Sequence, residues 1–435
     1  MPIPGHGRIW RALPLLCAGL LLLLPGTAPA AHRGPSTAPA AHQEPSAAPA
    51  THRAPATPSA PDLAIQFEAL LGQHSVLAAD LMRSRIRGDD DFVQSANAAL
   101  GKNTTAMTTL IGQLFGKPTA DKFGPMWSQH IVELFAYAGA LAAHDAEALD
   151  DARAELVEYE QELGDFFADA SKGRLPRSAA RAAVVQHVGH LTEQADAYAA
   201  KDYPTADSLY RMGYRHTYDL GLTLANALLP TGDADTLKQP LWRLRSQLGK
   251  LLAEHAALVE DLTRAAVTRS PDFAASGQMI NGNTRDLAAA VDSLFGPAAA
   301  RQFQALWGDH VEQLVAYATA TAGGDQAKQA QAKAALAGIE TRTAAFLNGA
   351  TGRRMSSAEL EAALQQHDLM LLKHADAYAA KDYATAHDVA YDTYQEMFDL
   401  ARTMADAFGA TVAARLPKGG AQTGYGGMAA VVEQR

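Results

Sequence analysis

The stretch Ala195–Tyr203, ADAYAAKDY, returns unchanged at Ala375–Tyr383. Nine identical residues twice in one chain exceed chance even where alanine is common, so the string marks a duplicated unit. Working outward, Leu70–Arg83 (LLGQHSVLAADLMR) matches Leu251–Arg264 (LLAEHAALVEDLTR), and Asn103–Gly116 (NTTAMTTLIGQLFG) matches Asn283–Gly296 (NTRDLAAAVDSLFG). Phe123–Ala138 (FGPMWSQHIVELFAYA) matches Phe303–Ala318 (FQALWGDHVEQLVAYA). The copies cover residues 62–230 and 242–412. A solenoid repeat runs about 20–50 residues, so a period several times longer makes each copy a domain-sized unit.

Within each copy apolar residues recur at three and four spacings, as in Leu70, Leu71, Leu77 and Leu81, and no alternating run suggests a strand. Breakers at Gly88, Gly116–Pro118, His144–Asp145, Gly173–Pro176 and Asp202–Pro204 divide the first copy into six segments. The expectation is an all-α protein of two tandem homologous six-helix bundle units, with antiparallel neighbours because the connections are short. The repeated string then closes the fifth helix and turns into the sixth, with Tyr198 and Tyr203 packed across the corner and Asp202 or Thr205 capping the sixth helix. Tyr198, Tyr210, Tyr214 and Tyr218 are expected to pack with their hydroxyls exposed, and Met212, Met370 and Met397 to fill the core.

The flanks differ from the copies. Residues 1–30 read as a signal peptide: Arg8 and Arg11, the apolar run Leu13–Leu24, then Ala28-Pro29-Ala30 as a small-x-small cleavage pattern. A retained N-terminal membrane anchor is the alternative. Residues 31–60 are three imperfect decapeptides rich in proline and alanine, expected as a disordered linker, and residues 413–435 as a disordered glycine-rich tail. Cleavage would remove Cys17, the only cysteine, leaving neither disulfides nor thiolate ligands in an exported, secreted or envelope-associated protein. With 37 basic against 47 acidic residues the net charge is −10, which opposes a nucleic-acid partner and tolerates cations.

Polar residues on the apolar faces carry the functional signal. His74 lies between Leu71 and Leu77, His130 between Trp127 and Leu134, and His187 between Val184 and Leu191. The second copy repeats them as His255, His310 and His367. On the sixth helix His216 corresponds to Glu396, and Asn103 with Asn283 and Glu160 with Glu340 hold matched places on the second and fourth. Segment midpoints fall near residues 74, 103, 131, 188 and 216, so in an antiparallel bundle these side chains share one layer. Imidazoles and carboxylates converging in a bundle core suit a divalent Zn, Cu or Fe ion, with Glu133, Asp219 and Asp399 as partners for the imidazole N–H groups.

Two other readings stay open: a purely structural polar layer that fixes register, in a structural or interaction protein with a cell-envelope partner, and a small-molecule or haem-like pocket. No nucleophile elbow, phosphate loop or zinc-protease string is present, so no catalytic arrangement stands out, and an oxidase-type metalloenzyme, a further reading, needs an open coordination position on the metal. The pattern of Glu254-His255 on a first helix, Trp127 with His130 on a third, Gln186-His187 on a fifth, and His216 followed by Leu224–Leu228 (LANAL) on a sixth resembles an uncharacterised group of exported Gram-positive bacterial helical-bundle proteins. That resemblance implies an all-α bundle and carries no activity. Hemerythrin-like and ferritin-like bundles are similar in architecture only, because neither ligand string occurs here.

Overall fold

The computed structural model describes residues 59–415, among which lie thirteen α-helices and no strand. The first half holds α1 (Ala60–Arg87), α2 (Asp90–Phe115), α3 (Lys117–Ala143), α4 (Ala146–Ala170), α5 (Arg177–Ala199) and α6 (Tyr203–Leu228). The short α7 (Thr231–Ala234) and a 3₁₀ turn at Asp235–Lys238 lead to α8 (Pro240–Thr268), α9 (Phe273–Phe295), α10 (Pro297–Gly323), α11 (Gln326–Ala350), α12 (Ser357–Ala379) and α13 (Tyr383–Arg415). The expected leader and nearly all of the expected linker lie outside the described residues. The linker expected to reach residue 60 gives way to Ser59, whose side chain caps α1. Residues 413–415 of the expected tail belong to α13, which runs to Arg415, and the rest of it lies outside the described residues. None of the described helices is long and apolar enough to cross a membrane.

Helices α1 and α8 are buried nearly all round, each lying among four others of its half: α2, α3, α5 and α6 around α1, and α9, α10, α12 and α13 around α8. Small residues permit the closest approaches. A Cβ on Gly221 of α6 would lie 2.6 Å from the Glu68 Cα of α1, a distance that forces the two helices apart. The two halves do not stand as separate bodies. The described residues form one compact unit whose main apolar core runs from Phe67 to Phe408.

Contacts between the halves are pseudo-symmetric, with different chemistry on the two sides. Glu254 of α8 is gripped by Arg211 and Arg215 of α6, at 3.0 and 2.8 Å. Its counterpart Gln73 of α1 instead accepts from the Gln395 amide at 3.3 Å and donates to the Tyr391 carbonyl at 3.4 Å, both on α13. The tyrosines expected to expose their hydroxyls do the reverse. Tyr214 donates to the Lys250 carbonyl, Tyr218 to the Ser246 carbonyl and Tyr198 to Asp272, while the Tyr210 hydroxyl is buried without a hydrogen-bond partner. They tie α5 and α6 of the first half to α8 and the α8–α9 turn of the second. Met397 is buried as expected, whereas Met212 is 47% exposed.

The repeated nine residues form the corner foreseen for them. In both copies the helix ends, Lys201 (φ 62°) or Lys381 (φ 59°) turns the chain through the left-handed region, and Asp202 or Asp382 caps the next helix from the Thr205 or Thr385 N–H. The tyrosine rings of each corner meet edge to face at 5.2 Å. A lysine in the left-handed region carries a Cβ penalty that glycine escapes. Lys201→Gly is therefore expected to raise unfolding free energy by about 1 kcal/mol, read from the urea midpoint; a decrease would show that the lysine side chain itself holds the corner.

Candidate metal centre

His74, His130 and His187 sit on α1, α3 and α5, three helices in mutual contact. All three rings are buried, with centroids 4.9, 5.5 and 6.3 Å apart. One ring nitrogen from each lies within 4.8 Å of the others. The Nε2 atoms of His74 and His130 are 2.9 Å apart, so one carries a proton that the other accepts. His187 Nδ1 faces the Thr217 hydroxyl at 2.9 Å, and its Nε2 has no hydrogen-bond partner. The Trp127 ring lies against His74, and Tyr159 stacks on His130 at 4.6 Å.

The second half builds the same group from α8, α10 and α12. His255, His310 and His367 are buried, offer nitrogens within 4.8 Å of one another, and have centroids 5.5, 5.9 and 6.0 Å apart. None of their three Nε2 atoms has a hydrogen-bond partner. Their surroundings differ from the first group. Trp307 donates its indole N–H to His255 Nδ1 at 3.1 Å, His310 Nδ1 stands 3.2 Å from Asp368, and His367 Nδ1 is 3.8 Å from Glu396.

Burial governs the electrostatics. It pushes His74, His187 and His255 well below the usual imidazole range, helped by the neighbouring imidazoles, and takes His130 down to about 3. These rings are neutral at pH 7, the form in which imidazole is a ligand. Burial and the adjacent Asp368 carry Glu340 up to about 7. Burial would raise Asp368 as well, but His310 and His367 hold it below the ordinary carboxylate range.

No protein-family model, curated protein or solved structure matches the chain. What the site can do therefore has to be read from its own geometry. Of the eight residues singled out in the sequence, six converge as two triads. His216 does not join them: its Nε2 meets the Ala183 carbonyl at 3.0 Å and its ring lies against His190. The inward position on α6 belongs to the next residue, Thr217, because one step turns a helix by about 100°. Glu396 comes near His367 at 3.8 Å, beyond hydrogen-bond distance.

The intended supporting groups face elsewhere: Glu133 pairs with Gln129, Asp219 with Lys250 and Asp399 with Arg402. Asn103 and Asn283 belong to the helix packing, donating to the Leu70 and Leu251 carbonyls at 2.9 Å. Glu160 is half-buried on α4. Sequence patterns alone missed Asp368, Thr217 and the role of Trp307. Asp368 had one available signal, since its counterpart is Val188 and the exchange puts a charge on an inward face.

Three nitrogens bound about 2 Å from one ion stand about 3.4 Å apart. Separations of up to 4.8 Å thus require a contraction of up to about 1.4 Å. Three imidazoles at one point leave a fourth position on such an ion.

Proposed function

We propose that this is an exported cell-envelope protein made of two tandem homologous six-helix units, each binding a transition-metal ion through its histidine triad, for storage, scavenging or sensing of metal. The observation that carries this reading is that three buried imidazoles in each half bring ring nitrogens within 4.8 Å of one another, while His187 Nε2 and the Nε2 atoms of His255, His310 and His367 have no hydrogen-bond partner. An unsatisfied buried polar atom costs about 1–3 kcal/mol, and a layer kept only for architecture would be selected to satisfy its members. Ligation to a shared ion removes that cost at His187 Nε2 in the first half and at all three Nε2 atoms in the second. The His74–His130 and Trp307–His255 hydrogen bonds are what a purely architectural layer would offer, but they satisfy only part of each triad.

Elemental analysis of the purified full chain is the direct test. About two ions per chain are expected, falling to about one when His74→Ala and His130→Ala are combined, because ligation is all-or-none within a triad. Added Zn²⁺ at about 100 times its Kd should stabilise the fold by about 2.7 kcal/mol per occupied site. Recovery of no ion, together with unchanged melting on adding Zn²⁺ or copper, would refute the reading.

A further inference from the structure

We propose that the two centres are sorted by ionic charge: His255, His310 and His367 take a divalent ion of the zinc class, and His74, His130 and His187 take a monovalent cuprous ion. The inference rests on the metal-binding reading above and concerns which ion each centre prefers. Both triads present the same three imidazoles, so the ligands alone cannot distinguish them. The difference lies in what stands behind the rings.

Behind His310 is the Asp368 carboxylate at 3.2 Å, and near His367 is Glu396 at 3.8 Å. The counterparts of these two acids are Val188 and His216. In the first half the corresponding supports are neutral: the Thr217 hydroxyl on His187, the Tyr159 ring on His130 and the Trp127 ring on His74.

A double positive charge buried among neutral groups is strongly disfavoured unless opposite charge is near. Asp368 and Glu396 supply two negative charges to the second centre. A carboxylate behind an imidazole also fixes the ring's orientation and raises its basicity. The first centre has no such compensation and tolerates a single charge better. Imidazole accepts both copper and zinc, and cuprous ion, with a filled d shell, imposes no geometry that three nitrogens would fail to meet.

Loading the second centre also disturbs its tryptophan. A neutral imidazole that ligates through Nε2 carries its proton on Nδ1. His255 Nδ1 now accepts from Trp307, so an ion at His255 Nε2 obliges Trp307 to release that bond. Trp127 makes no such bond to His74, and its indole N–H has no hydrogen-bond partner. Divalent loading should thus change the fluorescence of Trp307 selectively.

The experiment titrates the full chain with Zn²⁺ against a competing chelator, and separately with Cu⁺ under anaerobic conditions against a cuprous chelator. One tight equivalent of each is expected, with the Zn²⁺ signal lost in Trp307→Phe and retained in Trp127→Phe. Asp368→Asn should weaken Zn²⁺ binding by about 10-fold or more and leave Cu⁺ binding unchanged. Glu396→Gln, at a partly exposed position that tolerates the change, should shift Zn²⁺ in the same direction, and Val188→Asp should improve Zn²⁺ binding at the first centre. Equal Zn²⁺ affinity at both centres, insensitive to Asp368→Asn and Glu396→Gln, overturns the sorting while leaving the metal reading intact. Failure of both probes to bind overturns that reading itself.

Discussion

Replacing Arg264 with methionine is expected to lower unfolding free energy by about 3–5 kcal/mol, an effect on the scale of the whole stability of a typical domain. The guanidinium is 5% exposed and pairs with Asp261 through Nε and Nη2 at 3.0 and 2.8 Å, and with Asp272 at 2.7 Å. Tyr198, from the repeated corner of the first half, donates to the same Asp272 oxygen at 2.8 Å. Burial tends to raise Asp272, yet Arg264, Ser270 and Tyr198 hold it below the ordinary range, so the carboxylate is charged. Methionine would fill the space and leave two buried carboxylates facing a thioether. Their unmet charge, rather than any lost packing, sets the size of the effect. Adding Asp261→Asn and Asp272→Asn to Arg264→Met should therefore recover most of the loss. Urea unfolding of the two variants checks this; a loss below about 1 kcal/mol for Arg264→Met alone would mean that surrounding groups such as Arg83 already neutralise the two acids.

Features that repeat with the helix were legible in the sequence. The three- and four-residue apolar spacing, cut by the breakers, marked out α1, α2, α3, α5 and α6, and facing combined with depth brought six histidines to two points. Both signals are averages over many turns of helix, so small errors cancel. His216 failed because a single residue decides which side of α6 faces inward, and a segment midpoint has no such resolution. Groups whose partners lie on distant helices were not legible. Nothing local to Tyr198 points to Asp272, and nothing around Arg211 or Arg215 points to Glu254, because these pairings arise only when the two halves pack. The same limit hides how the two copies meet: duplication is visible in the chain, but a core shared between copies is made by side chains whose partners lie in the other copy.

The other large effect expected is on stability as a function of pH, with a maximum on the acid side of neutrality. Burial lowers His74, His187 and His255 well below the ordinary 6.5, and takes His130 and His374 to about 3 and His387 to about 4. For a base held neutral, the unfolded chain takes up protons first as pH falls. Stability from these groups is complete above 6.5 and is lost as pH drops toward their folded values. Burial acts oppositely on acids, carrying Glu68 from 4.5 up to about 8 and Glu340 up to about 7. Here the folded state holds the proton, so stability is complete below 4.5 and is lost as pH rises through 7 to 8. Between about 4.5 and about 6.5 the two trends oppose each other; below that window only the histidines act, and above it only the acids. Each uncompensated proton is worth about 1.4 kcal/mol per pH unit. Between about 4.5 and about 6.5 the six histidines outweigh the two acids, so metal-free protein unfolded in urea from about pH 3 to 9 should be most stable at about pH 6.5–7 and weaken on both sides. Glu68→Gln imitates the protonated acid, keeps an acceptor for the Ser246 hydroxyl that donates at 2.8 Å, and should flatten the alkaline limb without moving the acid one. Stability that climbs steadily from about pH 5 to 8 would mean that Glu68 and Glu340 are ionised in the fold, and that the buried histidines alone set its pH response.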